Sequence, residues 1–337
     1  MATIKDVSEY AGVSKATVSR VINGTSRVSP DKKSKVEQAI EVLGYRPNAI
    51  AQALASSKTG SIGIIVPELG GPFYSGILHS IEGQLRRLGY HAVVTAGSNS
   101  EQGERESVEF LLERKVDAMI LHPQHLSDDY LIKLVSQGVA LVVVNRLIAE
   151  IAQNCIEIDN TLGGRLATEY LLRMGHRNIA CITGPLNKSD ARGRLQGYRQ
   201  ALENADILFD EALVSEAGFT EQSGARAMEA LLATKRSFTA VFACNDHMAF
   251  GAFETLKERG IKVPEQISLI GFDDILFARY VTPPLTTINF PIEEMSTQAV
   301  LLTIQILNRN KRDVSFKLSP RLVQRSSVKL LDNNKVI

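Results

Sequence analysis

Residues 4–23 read IKDVSEYAGVSKATVSRVIN, and their spacing decides how the chain begins to fold. Ile4, Val7 and Ala11 recur at three- and four-residue intervals, as do Val18 and Val21, so two short amphipathic helices are expected on either side of Gly12. Ala11 is small where two helices must approach closely, and Gly12 can take the left-handed conformation that a tight corner needs. Ser14 is placed to satisfy the free amides of the second helix. Val36, Ile40 and Leu43 repeat the pattern in a third helix. On the second helix Lys15, Ala16 and Ser19 fall opposite Val18 and Val21, with Arg20 beside them. In a helix-turn-helix this N-terminal end enters the major groove of DNA. There Lys15 or Arg20 would donate to guanine O6 and N7, and the Ala16 methyl would meet a thymine methyl. Thr3, Ser29, Lys32 and Lys33 are expected at phosphates, setting register without reading sequence. Three ordinary helices with a solvated basic face would share the same pattern.

Charge supports a local nucleic-acid face and no global one. The 337 residues carry 38 Lys plus Arg against 37 Asp plus Glu, a formal charge of +1, yet the first 60 hold nine basic and five acidic side chains. The longest apolar stretch, Val139 to Val144, stops at Asn145 and Arg146, far below the run of about 18 that a membrane span needs. The opening residues have no apolar signal region, so a cytoplasmic, nucleoid-associated protein with no membrane partner is expected. Cys155, Cys181 and Cys244 lie in separate apolar segments with no Cys-x-x-Cys pair and read as reduced core residues.

From Ile62 onward β-rich apolar runs alternate with amphipathic stretches. Strands are expected at 62–66, 92–96, 118–121, 140–144, 155–158, 179–183, 240–244 and 267–272, with helices at 75–88, 101–113, 161–174, 192–204, 222–232 and 248–258. Such alternation predicts parallel sheets covered on both faces, and some 270 residues of it predict two doubly wound lobes. In these sheets ligands sit beyond the carboxyl ends of the strands. The residues standing there include Phe73, Asn145, Asp190, Arg194, Phe219, Asn245 and Asp273, and Phe290 is a further aromatic candidate that follows no expected strand. Their chemistry suits a polyol: amides and carboxylates for vicinal hydroxyls, an Arg fork across two oxygens, aromatic faces for the C–H side of a pyranose. Taken singly, the three phenylalanines fit ordinary core packing equally well, and Asp246 is expected to cap the helix after it rather than touch ligand. Asp273 and Asp274 do not suggest a glycosidase, because neighbours on a strand end point in opposite directions. No phosphate loop, dinucleotide fingerprint or nucleophile elbow occurs, and His122 with His125 lacks a third ligand, so no enzyme activity, metal or cofactor is expected.

A polar stretch, Ala55 to Ser61, reads as a linker, and before it Tyr45-Arg46-Pro47 opens a segment of fewer than ten residues. So short a helix is marginal alone, and its apolar Ile50 and Leu54 suit a wedge into a minor groove. The succession TIKDVSEYAGVSKATVSRVING, GYRPNAIAQAL, GIIVP and Leu285-Thr286-Thr287-Ile288-Asn289-Phe290-Pro291-Ile292 resembles the lactose and galactose repressor family of bacterial transcription regulators over nearly the whole chain. Within that family the likeness is greatest to the galactose-responsive members, although Lys15 stands where they carry an apolar residue. The resemblance implies an all-α helix-turn-helix DNA-binding domain at 1–46, a hinge helix and linker at 47–60, and an α/β two-lobed periplasmic-binding-protein-like domain with parallel doubly wound sheets at 61–331. It further implies a homodimer on palindromic double-stranded operator DNA, with Leu54 prying open the central step. The residues expected at DNA are Thr3, Ser14, Lys15, Ala16, Thr17, Ser19, Arg20, Asn23, Ser29, Asn48, Ala51 and Leu54. Asn145, Arg194, Phe219, Asn245 and Asp273 match positions that line the family's effector site, and Phe290 stands where a Gln is frequent. The implied activity is repression released by a small sugar effector, galactose-type favoured; a ligand that strengthens DNA binding, or another hexose or a β-glucoside, remains an alternative. Lobe crossovers are expected near Asp159-Asn160, Phe290-Pro291 and Leu318 to Arg321. The helix after the first strand, with Ile77, Leu78, Ile81, Leu85 and Leu88, is the expected subunit face.

Overall fold

A computed structural model describes residues 2–22, 28–46, 58–309 and 316–331. The chain divides into two compact units, Met1–Ser61 and Ile62–Ile337.

Three helices form in the first unit where the apolar spacing places them: α1 (Ile4–Tyr10), α2 (Lys15–Ile22) and α3 (Pro30–Leu43). Thr3 caps α1, its hydroxyl accepting from the Asp6 amide while the Asp6 carboxylate accepts from the Thr3 amide at 2.8 Å. Gly12 has φ +62° at the corner, and Ser14 Oγ accepts from the Thr17 amide at 3.2 Å. Val7, Val18, Val36 and Ala39 are fully buried, with Ala11 close behind. That small core fixes which face of α2 remains outside.

The second unit contains two six-stranded sheets. The chain lays down β1 (Ser61–Val66), β2 (His91–Ala96), β3 (Ala118–Leu121), β4 (Leu141–Val144) and β5 (Cys155–Ile158), then β6 (Ile179–Thr183), β7 (Val214–Glu216), β8 (Ala240–Ala243), β9 (Ser268–Asp273) and β10 (Thr286–Asn289), and finally β11 (Phe316–Leu318) and β12 (Arg321–Val323). The first sheet has the order β11-β5-β4-β3-β1-β2 and the second β12-β10-β9-β8-β6-β7. Pairing is parallel from β1 through β3 and β4 to β5 and β11, with Ile64 opposite Ile120 and Val143 opposite Cys155. The second sheet is parallel from β7 to β10 and antiparallel only where β12 joins β10. β3 reads AMIL and β4 reads LVVV with every residue buried, as a sheet covered on both faces requires.

The covering helices are α4 (Pro72–Arg87), α5 (Glu101–Glu113), α6 (Asp128–Ser136), α7 (Asn160–Arg173), α8 (Ser189–Glu203), α9 (Glu221–Ala233), α10 (Asp246–Glu258) and α11 (Ile292–Leu307). Chain passes between the sheets three times: from β5 into α7 at Asp159-Asn160, from β10 into α11 at Phe290-Pro291, and from β11 to β12 across 318–321. α11 follows a strand of the second sheet yet packs on β3, β4 and α4 of the first lobe. Each lobe is therefore completed by chain that has visited the other. Helices α7 and α8 approach with backbone in contact: a Cβ on Gly164 would overlap the Arg194 carbonyl, and one on Gly197 the Thr161 carbonyl.

Several expectations are corrected. β7, β10, β11 and β12 are absent from the sequence reading because each holds only one or two apolar residues, whereas the equally short β3, β4 and β8 are apolar throughout. α6 and α11 are likewise additional. α4 begins at Pro72 rather than Ser75, with proline in the first turn where its missing amide costs nothing. On α4, the expected subunit face, Ile77, Ile81 and Leu85 are fully buried in the chain's own core, Leu78 packs against it, and Leu88 is exposed. The three cysteines are buried free thiols, with Cys181 Sγ and Cys244 Sγ 3.9 Å apart on neighbouring chain segments of the second lobe.

Candidate effector and DNA sites

The carboxyl ends of both sheets converge on one cavity of about 110 Å³. Of the eight residues expected there, Phe73, Asn145, Asp190, Arg194, Phe219, Asn245 and Asp273 line it. Phe290 does not: it is buried behind Phe73, ring centroids 5.0 Å apart and edge-to-face at 82°. It supports the wall rather than forming it.

Arg194, on the second turn of α8, is the centre of the polar network. Its Nε donates to Asn160 Oδ1 at 2.9 Å, one terminal nitrogen donates to the Cys244 carbonyl at 2.5 Å and lies 3.5 Å from Asp273 Oδ1, and the guanidinium stacks 3.7 Å over the Phe272 ring. Asn160 in turn donates to Asn145 Oδ1 at 3.3 Å. Asn145 ends a strand of the first lobe, so a continuous polar chain crosses between the lobes at the Asp159-Asn160 passage. The approach permitted by Gly164 and Gly197 is what brings Arg194 within reach of Asn160.

Backbone strain marks the same residues. Asn145 (φ +60°), Phe219 (φ +64°), Asp273 (φ +109°) and Asp274 (φ +56°) all lie in the left-handed region that side chains other than glycine avoid. Such strain persists only where surrounding packing enforces it, and it concentrates at functional sites. It also turns the paired carboxylates apart. Asp273 faces the cavity, whereas Asp274 meets Arg325 at 2.5 Å and accepts from Asn289 at 3.3 Å. Two acids facing across one sugar bond are thus not formed here.

Asn245 ends up in the role expected of its neighbour. Its Oδ1 caps α10 by accepting from the Met248 amide at 2.8 Å, and its Nδ2 donates to the Phe219 carbonyl at 3.0 Å. Asp246 is fully buried and accepts from the Ile275 amide at 2.9 Å and from Thr287 Oγ1 at 2.6 Å, tying α10 to β10. Burial and the nearby Asp273 push its carboxyl well above the usual range.

Two buried polar atoms in the cavity wall have no hydrogen-bond partner: His122 Nε2 and Asp273 Oδ1. His122 follows β3 directly, and its Nδ1 lies 3.3 Å from the Gln124 side-chain nitrogen. With Gln124 donating, the neutral ring carries its proton on Nε2, a buried donor of a side chain that lines the cavity. Burial pushes the imidazole down to about 4 and the Asp273 carboxyl up to about 7, the latter against the pull of Arg194 and His247. His122, Gln124, Tyr74 and His247 were not among the expected site residues; His122 was findable from its place at a strand end. Glu104 escapes sequence reasoning altogether. It is buried on α5 and accepts from the backbone amides of Gln124, His125 and Leu126 at 2.8–3.0 Å, fixing the loop that carries Gln124. Among the described residues no cluster of His, Cys, Asp and Glu is arranged to hold a metal, and no helix is long and apolar enough to cross a membrane.

In the first unit Lys15, Ala16 and Arg20 are exposed on α2, with Thr17 and Ser19 half-buried. Ser14 and Thr17 share a hydroxyl hydrogen bond of 2.9 Å at the helix head. Ser29 stands exposed before α3, beside Lys32 and Lys33, and makes no capping bond of its own. Asn23, Asn48, Ala51 and Leu54, with the expected hinge helix, lie outside the described residues.

Residues 3–48 match the family described as bacterial regulatory proteins, lacI family, and residues 168–328 match a periplasmic binding protein-like domain. Over 329 residues the chain is 40% identical to the HTH-type transcriptional regulator GalR of Escherichia coli K12, covering 97% of this chain and 96% of that one. The chain belongs to the lacI family. Among solved structures it resembles the lac repressor dimer bound to operator and the anti-inducer ONPF, with 30% identity, a TM-score of 0.87, and 97% and 99% of the two chains covered. It also resembles the transcriptional regulator CelR in complex with cellobiose, at 36% identity and a TM-score of 0.74, covering 97% of this chain and all of that one. Membership makes the protein a DNA-binding transcriptional regulator rather than an enzyme.

Proposed function

We propose that this lacI-family regulator is a homodimeric repressor that leaves a palindromic operator when a small sugar, galactose-type favoured, closes its two lobes. The observation carrying the reading is a cavity between lobes joined by three crossovers in whose wall buried His122 Nε2 has no hydrogen-bond partner and Asp273 Oδ1 is held only by its 3.5 Å ion pair with Arg194. Leaving a buried polar group unpaired costs about 1–3 kcal/mol, so a ligand that offers hydroxyls to both groups, as a sugar does, is favoured there. Phe73 and Phe219 supply apolar faces for the ring. The cellobiose complex of CelR adds support from a relative that holds a sugar. On the DNA side Lys15, Ala16, Ser19 and Arg20 would read base edges, with Thr3, Ser14, Thr17 and Ser29 at phosphates; Asn23, Asn48, Ala51 and Leu54 remain expectations from sequence.

Closure works through the polar chain from Asn145 through Asn160 to Arg194 and Asp273. A sugar that engages both lobes favours the closed arrangement, which rotates the first lobes of the dimer against each other and separates the hinges. The coupling required is about 1–3 kcal/mol and must be reciprocal, operator weakening sugar binding by the factor with which sugar weakens operator binding. Fluorescence anisotropy on a palindromic operator from beside the protein's own gene, at fixed salt, with and without millimolar D-galactose, tests this. Salt is held constant because phosphate contacts alone shift affinity by orders of magnitude. A loss of operator affinity is expected; unchanged tight binding would remove galactose as effector, and a gain would make the ligand a corepressor.

A further inference from the structure

The effector cavity has a polar pair in its wall that stands outside the chain from Asn145 to Asp273. His247, in the first turn of α10, directs Nδ1 at Glu221 Oε1, 2.5 Å away at the head of α9. Against the push of burial, that hydrogen bond holds the Glu221 carboxyl below its ordinary value, so a carboxylate accepts from Nδ1–H. The ring is thereby fixed in one tautomer, and Nε2 is the atom at which a second proton is gained or lost.

Nε2 faces the first lobe. It lies 3.9 Å from the point that a Cβ on Gly71 would occupy, and Glu68 Oε1 lies 3.9 Å from the same point. The imidazole nitrogen and the carboxylate oxygen are therefore less than twice that distance apart, with no ion pair yet joining them. Glu68, Gly71 and His247 all line the cavity, the first two from the first lobe and the third from the second. Gly71 has φ +78°, a conformation that side chains disfavour, and a methyl group there would touch both polar groups. Glu68 is exposed, and among the described residues it is neither hydrogen-bonded nor ion-paired, although its charge adds to burial and to Asp190 in raising the Tyr74 hydroxyl.

The titratable groups facing the ring are Glu221 from α9, Glu68 from the loop 67–71 and Asp273 from the end of β9, on whose carboxyl a charged imidazole acts. Phe250, on the same helix as His247, meets the ring edge-on. All three titratable neighbours are acids. A second proton on the ring is attracted by each, and more strongly as the first lobe carries Glu68 inward.

We propose that His247 is the latch of the effector cavity: as the lobes close, Nε2 takes up a proton from solvent and bridges Glu221 of the second lobe to Glu68 of the first, so that effector binding and proton uptake reinforce each other. This deepens the closure reading above and rests on it, but not on which sugar drives the movement. Linkage fixes the sign, because a state that binds an extra proton gains as pH falls. The closed state, and the effector that selects it, are favoured toward acid pH. Exposed ion pairs are weak, so the expected effect is several-fold and not orders of magnitude.

Double electron–electron resonance on the full-length protein, with nitroxides at Gln102→Cys on the first lobe and Arg226→Cys on the second, reads the lobe separation. Both positions are exposed, and Cys155, Cys181 and Cys244 are buried away from the label. Without effector, the fraction of short distances is expected to rise several-fold from pH 8 to pH 5.5, and Glu68→Gln and His247→Gln should each abolish the rise. Calorimetric titration with D-galactose supplies the second readout. Binding should be several-fold tighter at pH 6 than at pH 8, with net proton uptake near pH 7 that appears as a dependence of the heat on the buffer's ionisation enthalpy. Asp273 also titrates in this range, and Glu68→Gln separates the two because it leaves that carboxyl in place while shrinking the proton uptake. Label distances that ignore pH, or a pH response that survives in both variants, would overturn the latch whatever D-galactose does. Proton uptake unchanged in Glu68→Gln would overturn it as well. If the distances respond as expected but D-galactose binds at neither pH, the sugar reading falls and the latch stands.

Discussion

At the scale of single residues the site depends on two groups whose protonation opposes expectation. Asp273 is buried beside Arg194 with its carboxyl pushed up to about 7, from an ordinary 3.8, and His122 is buried with its imidazole held down to about 4, from 6.5. A carboxyl whose folded value is raised adds stability that is fully present below pH 3.8 and is lost as pH climbs through 7. An imidazole whose folded value is depressed adds stability that is present above 6.5 and is lost as pH falls through 4. Between pH 4 and 6.5 the two contributions oppose each other. Asp273→Asn removes the falling one, so its melting temperature should gain on that of the wild type from pH 4.5 to 6.5. His122→Asn removes the rising one, so its melting temperature should lose ground to the wild type over the same interval. Scanning fluorimetry across that range in a low-salt buffer series reads both; identical profiles in the two variants would show that neither group titrates where its burial demands.

Elements decide whether those residues meet. Arg194 reaches Asn160 because α7 and α8 pack backbone on backbone, and Gly164 is the position at which a single methyl group would collide with the Arg194 carbonyl. Gly164→Ala should cost about 1–3 kcal/mol in urea unfolding, the range for overpacking a filled interface. Its distinguishing effect should be a loss of sugar affinity well beyond that of an equally destabilising change far from the cavity, since displacing α8 breaks the polar chain between the lobes. The same scale shows what sequence could and could not disclose. Long apolar strands such as β4, capped helix heads such as Ser14 and strand-end residues such as Asn145 and Asp273 were legible, because each signal is local. β10, with one apolar residue in Thr286–Asn289, was not, because its partners β9 and β12 supply its identity. Glu104 and Asn160 were hidden for a related reason: each looks like an ordinary helix residue until non-local partners arrive, three loop amides for one and Asn145 with Arg194 for the other. The strand-end rule located most of the cavity, whereas Phe290, a candidate through the family resemblance, lies one layer behind the wall.

For the whole molecule, in the proposed homodimer, one binding event must reach two recognition helices. A palindromic operator presents two half-sites, so tight binding requires two α2 helices held at a fixed spacing. Ile77, Ile81 and Leu85 of α4 are committed to the chain's own core, and a further exposed apolar cluster lies beyond β9. Leu276, Phe277 and Tyr280, in the turn after β9, are 56%, 52% and 73% exposed and close together in sequence, an uncommon concentration of large apolar side chains on a soluble surface. They directly follow Asp273 and Asp274, so a subunit face built there would be linked by a few residues of chain to the cavity wall. Introducing both Leu276→Asp and Tyr280→Asp should reduce the light-scattering mass at micromolar concentration from two chains to one. Operator affinity should fall by at least ten-fold, because each half-site must then be bound independently, while sugar affinity, measured by titration on the same sample, should stay within a few-fold of wild type. A variant that remains a dimer would place the face elsewhere. A monomer that still bound the full palindrome as tightly as wild type would break the link between pairing and operator recognition, and with it the proposed release of DNA by lobe closure.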